Sequence, residues 1–377
     1  FKLLLIYLQN LKSILSQMSL GTSWLRSMAG AWRTSSFVLS RRLQSTVTTE
    51  QAKAAKKLRG RIFLLLSSTT LAGGLYAGHV LTPDWRQIID PQHYYEDWKM
   101  RTYFSLPLNV VSRLAGGLAN REIPVSLRKP LLGLFARVYD CRMDEAEVRD
   151  LAAYPTFSAF FNRTLRTDAR PISATPLVSP ADGTVLHYGK IDDDRVEFVK
   201  GHDYHIREFL GDVDIKPKPG HELYQMVIYL APGNYHAFHS PAQWKSDHIR
   251  HYPGLLLSVR PSLLTRVPHL FCLNERVILN GSWQHGFFSM AAVAATNVGD
   301  VAIDADPTVR TNISRSRKEK VESVRSELVH GFASGEKVGE FRLGSTIVLV
   351  FQAPSNLKFA VHAGDTVRYG QSLVVDV

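Results

Sequence analysis

The sequence predicts an α+β protein: N-terminal transmembrane and amphipathic helices, followed by a mainly antiparallel β domain. Three observations predict it. Ile62 to Leu81 is a 20-residue stretch without a formal charge. Between 84 and 165 apolar residues recur at helical spacing, and from about 176 onward short apolar runs alternate with turn residues.

The first segment, 1–61, is basic. It holds 11 Lys/Arg and a single acid, Glu50, whereas the remaining 316 residues carry 34 basic and 33 acidic side chains. The formal charge of +11 therefore belongs to the N-terminus. A nucleic-acid footprint would need a basic face on the folded domain, and none is expected. Acid-poor, Ser-containing, Arg-punctuated composition is the pattern of a mitochondrial transit peptide, although a basic tail would look similar. Met18 is a candidate initiator, since the chain begins with Phe.

Residues 62–81 follow Arg59 and Arg61 and end near Tyr76 and Trp85. Twenty uncharged residues suffice to span a bilayer, and the Gly73-Gly74 pair with Gly78 suits helix packing. A buried soluble helix would fit the same residues. If the segment spans, Lys56 to Arg61 stay on the matrix side of the inner membrane and the body faces the intermembrane space.

Residues 84–170 read as mostly helical and membrane-proximal. Leu106, Val110, Val111, Leu114 and Leu118 step by three or four, "EIPVSL" interrupts, and "KPLLGLFARVYDCRM" resumes. One face could rest on lipid with Arg101, Arg113 and Arg121 at headgroup level, or could pack on the core. The β region, 171–377, supplies the strand candidates "GTVLHYG", "RVEFVKG", "YQMVIYLAPGNY", "ERVILNGSW", "FFSMAAVAATNVGDVAI", "STIVLVFQAP" and "GQSLVVDV". Segment 305–340 is polar and reads as an exposed insert. Cys141 and Cys272 exclude a disulfide framework and read as buried thiols.

Three short segments carry chemistry. "SPADGTV" sets Asp182 in a turn before a strand, and "YLAPGNYHAFHSP" brings His236 and His239 after one. The His-x-x-His pair lacks the Cys or Glu companions of a metal site. In "LGST", Gly344-Ser345 stands at the mouth of a buried run. A serine hydroxyl needs a base, and the base an orienting group. A hydrolase serine usually sits in a Gly-x-Ser-x-Gly elbow. Here one glycine precedes Ser345 and β-branched residues follow, which suits attack on the carbonyl of its own neighbour.

"LGST" at 343–346, "SPADG" at 179–183, "YHAFHSP" at 235–241, "NERV" at 274–277 and "ATNVG" at 295–299 resemble the phosphatidylserine decarboxylases, in their mitochondrial form, from about residue 98 to the C-terminus. The resemblance implies a proenzyme that cuts itself at Gly344-Ser345. Ser345 would become a pyruvoyl cofactor heading an α chain, 345–377, held non-covalently by the β chain. Asp182 and His239 would activate Ser345, and His236 would return a proton during decarboxylation of phosphatidylserine to phosphatidylethanolamine. The pyruvoyl carbonyl would condense with the headgroup amine and draw in electrons as carbon dioxide leaves. Membrane and phospholipid are the implied partners, and a homodimer is allowed. Ala294 departs from the glycine expected in the family's "VGATNVG".

Two rival readings share residues with this one. A membrane-anchored serine hydrolase would use the same Asp182, His239 and Ser345. The stretch "KFAVHAGDTVRYGQSLVVDV" has the texture of a carrier module, but Lys358 lies inside a strand-like run rather than at a hairpin tip.

Overall fold

A computed structural model describes residues 102–375, interrupted at 105, 192–194, 200–201, 217, 265–266, 268, 297–299, 315–319, 321 and 343, together with Gly74, Tyr76 and Val80. The targeting segment 1–61 and, but for those three helical and exposed positions, the proposed span 62–81 lie outside the described residues. Among the described residues no helix is long and apolar enough to cross a membrane.

Helices α1 (Leu108–Ala119) and α2 (Val125–Val138) open the described chain, followed by a 3-10 turn at Leu151–Ala153 and the short α3 (Phe157–Phe161). For 84–101 the expectation of helix through 84–165 falls outside the described residues; among the described ones it holds at 102–104 and in these pieces. Residues 139–150 are turns and irregular chain, where Asp140 takes a left-handed conformation and ends the helical run. Leu132, Tyr154 and Phe160 form a small separate core, into which the rings of Phe135 and Phe157 pack edge to face.

On α1 the polarity is inverted. Asn109 and Ser112 are buried, while Leu114 and Leu118 are 70% and 54% exposed. The Asn109 amide donates to the Gly254 carbonyl at 2.9 Å, which makes its burial tolerable. Val125, Leu134 and Val138 of α2 are likewise exposed.

The strands are β1 (Gly183–Lys190), β2 (Arg195–Val199), β3 (His202–His205), β4 (His221–Leu230), β5 (Ala237–His239), β6 (Trp244–Tyr252), β7 (Arg276–Trp283), β8 (Gly286–Ala294), β9 (Val301–Ile303), β10 (Val324–Phe332), β11 (Lys337–Phe341), β12 (Ser345–Pro354) and β13 (Thr366–Val367). Eight of them make one antiparallel sheet, ordered β10-β6-β7-β8-β12-β4-β1-β13, and β5-β11-β9 make a smaller one. Strand β12 lies inside the large sheet. It pairs from Ser345 opposite Leu230 to Pro354 opposite His221 on one side, and from Ser345 opposite Ala294 to Phe351 opposite Phe288 on the other. Its residues are buried up to Ala353, as expected for a continuous apolar run between two partners.

Two readings need correction. Segment 305–340 is not simply an exposed insert, because β10 pairs with β6 along the sheet edge and β11 joins β5 and β9. An edge strand bonded on one side tolerates the polar residues that hid it. The C-terminal "GQSLVVDV" forms no named strand; the isolated bridges Val178–Ser372 and Phe359–Val374 and backbone hydrogen bonds to Ser179, Leu177 and Lys358 hold it instead.

Candidate active site

The sheet topology gathers the chemical residues at one end. Ser345 starts β12, Leu230 ends β4 beside it, and Gly183, just after Asp182, starts β1 next to β4. With neighbouring strands about 4.8 Å apart, the backbones at Gly183 and Ser345 lie roughly 10 Å from each other. A Cβ at Gly183 would collide with the Tyr229 carbonyl and the Ile228 side chain, so "SPADG" needs its glycine for β1 to close on β4.

Asp182 is buried and fully engaged. Arg170 grips both carboxylate oxygens, Nε to Oδ1 at 3.0 Å and Nη2 to Oδ2 at 2.5 Å, and the Tyr369 N–H donates to Oδ1 at 2.9 Å. Arg170 also reaches Glu145 at 2.6 Å. Burial would lower the guanidinium, but the hydrogen-bonded carboxylates outweigh it and hold Arg170 charged. A cavity of about 50 Å³ opens on this cluster.

His236 and His239 share one tautomer. His236 Nδ1 lies 2.8 Å from the Asn234 carbonyl, and His239 Nδ1 lies 3.0 Å from the Gly335 carbonyl. A carbonyl only accepts, so each Nδ1 carries the proton and each Nε2 keeps a lone pair. Burial lowers His236 to about 3 and His239 to about 4, so both rings are neutral near pH 7. His239 Nε2 accepts from the Tyr235 hydroxyl at 3.3 Å, and its ring stacks on Tyr369. His236 packs against Phe161, ring centroids 4.1 Å apart, and its Nε2 meets no hydrogen-bond partner among the described residues. The His236 carbonyl accepts from the Phe341 N–H, tying this loop to the strand that leads into the Gly-Ser pair.

Ser345 is 1% exposed, and its Oγ has no hydrogen-bond partner among the described residues. Gly344 has φ +57, the left-handed region, with open space where a side chain would stand. In the uncut chain, then, Asp182 and Ser345 stand at one end of the large sheet, the β5 segment of the smaller sheet carries both histidines, and no direct hydrogen bond joins Asp182 to His239. Tyr369 links those two instead, bonding one and stacking on the other. The hydrolase reading finds no support in so deeply buried a serine.

Sequence reasoning assigned no role to Arg170, Tyr235, Tyr369 or Asn274. Asn274 belongs to the "NERV" motif and is wholly buried. It exchanges hydrogen bonds with the Leu257 N–H and carbonyl at 2.9 and 2.8 Å, and donates to the Ala294 carbonyl at 2.8 Å. Ala294 is the cross-strand partner of Ser345 and is itself buried, so the extra methyl at the expected glycine is accommodated. The next residue, Glu275, accepts from the Asn312 N–H and pairs with His251, both at 2.8 Å. A polar motif before an apolar strand was the available signal for Asn274. Nothing comparable marks Tyr369.

Comparison with known proteins gives these residues a context. A sequence model described as phosphatidylserine decarboxylase matches residues 157–375. The chain is 63% identical over 322 residues to the mitochondrial phosphatidylserine decarboxylase proenzyme of Caenorhabditis elegans, covering 85% of each. It is 39% identical over 335 residues to that of Rattus norvegicus, covering 80% of this chain and 82% of the relative. Against proenzyme 1 of Saccharomyces cerevisiae the identity is 33% over 370 residues, 74% of each.

Proposed function

The chain belongs to the phosphatidylserine decarboxylase family, and on that premise we propose that it is a proenzyme that cuts itself between Gly344 and Ser345. It decarboxylates phosphatidylserine to phosphatidylethanolamine. The observation that carries the cleavage reading is Ser345 Oγ, buried and unpartnered, directly after a left-handed glycine. A hydroxyl so placed has no structural hydrogen bond to give up when it attacks.

Cleavage proceeds through the chain's own atoms. His239 Nε2 takes the Ser345 hydroxyl proton once the Tyr235 hydroxyl turns away, and Oγ adds to the Gly344 carbonyl carbon. The C–N bond breaks, Ser345 N gains a proton, and an ester joins the two halves. Loss of the Ser345 Cα proton then expels Gly344 as a carboxylate and leaves dehydroalanine. Water replaces the nitrogen, ammonia departs, and a pyruvoyl group remains at the head of 345–377. Asp182 supports His239 through Tyr369, by holding that ring in place.

When formed, the pyruvoyl group supplies a carbonyl that draws electrons from the amine-bearing carbon of the substrate. The site suits it, since the position is buried and flanked by the aligned ends of β4 and β8, which exclude water. His236 Nε2 is assigned the return of a proton to the substrate carbon. Burial keeps His236 neutral in the uncut chain, so it must take up that proton during turnover.

The exposed leucines and valines of α1 and α2 support contact with a lipid surface. Relatives named as mitochondrial support that compartment. The basic 1–61 segment and the 62–81 span support the inner membrane with the body in the intermembrane space. The intact mass of purified protein beside a Ser345→Ala copy tests the reading. A 345–377 fragment with pyruvoyl in place of serine supports it, and a single chain with unmodified Ser345 overturns it.

A further inference from the structure

Beside α1 lies a cavity of about 290 Å³ that the cleavage chemistry does not use. Arg113, Gly116 and Gly117 of the helix line it with Asn120 at its C-cap, at i, i+3, i+4 and i+7, so one stripe forms the wall. The two glycines on that stripe leave the space that larger side chains would fill. Arg310, Thr311 and Arg342 face the helix from the other side.

Charge in the cavity is one-sided. Three arginines line it against one acid, Asp300, which accepts from Thr311 at 2.7 Å and from Arg342 Nη1 at 3.2 Å. Arg113 is held at the rim by a 3.3 Å bond to Asn312 Oδ1. Arg310 makes no hydrogen bond or ion pair among the described residues. Leu114 and Leu118 sit one residue beyond the lining positions of α1, and Ile313, itself part of the lining, is 46% exposed. A cationic hollow with exposed apolar side chains beside it matches a molecule whose anionic end is joined to hydrocarbon.

We propose that this cavity receives the phosphate group of a phospholipid, with Arg310 as its main ligand and Leu114, Leu118 and Ile313 beside the acyl chains. Arg342 places the hollow near the chemistry, being two residues before Gly344 and bonded through its N–H to the Asp300 carbonyl at 2.9 Å. The inference rests on the decarboxylase reading only in taking phosphatidylserine as the occupant. It adds a headgroup subsite and makes Arg310 a determinant of substrate affinity.

The test compares full-length wild type, Arg310→Ala and Arg310→Lys on soluble dihexanoylphosphatidylserine, with self-cleavage as the check on folding. Loss of one charge-assisted phosphate contact raises KM about tenfold, with kcat within about twofold and partial recovery in the Lys variant. An unchanged KM in cleaved Arg310→Ala protein overturns the proposal. A second measurement needs no turnover: binding of dihexanoylphosphatidylglycerol and of inorganic phosphate to full-length Ser345→Ala, with and without Arg310→Ala. Arg310-dependent binding of the lipid alone assigns the site to a lipid phosphate, and Arg310-dependent binding of both assigns it to phosphate as such. Binding indifferent to Arg310 overturns the site. A wild-type protein that releases no carbon dioxide would instead overturn the decarboxylase reading and leave this binding result standing.

Discussion

His239 lies flat on Tyr369, with ring centroids 3.9 Å apart and planes 2° from parallel. Tyr369 comes from the segment C-terminal to the proposed cut, and its N–H also holds Asp182. Replacing Tyr369 with Phe keeps both the stack and the backbone bond, so self-cleavage should stay close to wild type. Tyr369→Ala removes the surface that fixes the imidazole. The uncut fraction on a denaturing gel should then rise, and equal processing of the two variants would refute a positioning role.

Asp182→Asn keeps the shape but removes the charge that Arg170 grips. Self-cleavage followed over time should slow about 100-fold, the scale of a lost base system. Asp182→Ala also leaves the buried Arg170 guanidinium with Glu145 as its remaining carboxylate, and should cost roughly 2 kcal/mol of stability. Chemical denaturation of each variant in a Ser345→Ala background separates the two effects.

Protonation of the two histidines sets an acid limit. Their folded values of about 3 and about 4 lie below the value of about 6.5 expected in the unfolded chain. Between those limits the unfolded chain binds more protons, so stability is complete above about pH 6.5 and falls as pH drops. The loss approaches about 1.4 kcal/mol per pH unit for each histidine. The urea midpoint of the Ser345→Ala protein should fall from about pH 7 to about pH 5, and less so in His239→Gln. Self-cleavage relying on neutral His239 should keep its rate to about pH 5 and lose it only near pH 4.

Asn274→Ala removes three buried hydrogen bonds at the strand end opposite Ser345 and leaves their partners unsatisfied. The expected loss is about 3 kcal/mol. Processing should slow as well, because the Ala294 carbonyl is no longer held. Asn274→Asp keeps the contact to the Leu257 N–H but repels two carbonyls, and should be no better. Urea denaturation and a cleavage time course read these out.

Much of this arrangement is legible in the sequence for a simple reason. Strands β4, β7 and β12 carry apolar runs bounded by turn formers, so burial on both sides writes itself into composition. The edge strand β10 escapes because only one flank is bonded, and its Arg325, Glu327 and His330 face solvent or lie half-buried. On α1 the helical period is readable, but not that the buried face is the polar one, since that depends on the Gly254 carbonyl 145 residues away. The same holds for the site. Asp182, His236, His239 and Ser345 sit in distinctive motifs, whereas Tyr369 acts through its ring face and its backbone, neither of which leaves a pattern.

The place of β12 within the large sheet has a last consequence. Until the cut, one polypeptide closes the sheet around its own inner strand. After the proposed cut the same ladder would join two molecules, and the free energy that holds it would include the dilution of the peptide that begins at Ser345. The proenzyme folds as a unimolecular event, whereas the mature enzyme could regain its sheet only by recapturing a lost strand. A cut there would convert a reversible fold into a single-use one: heated past its transition, the cut protein should not recover on cooling, while the uncut Ser345→Ala chain should retain the means to do so.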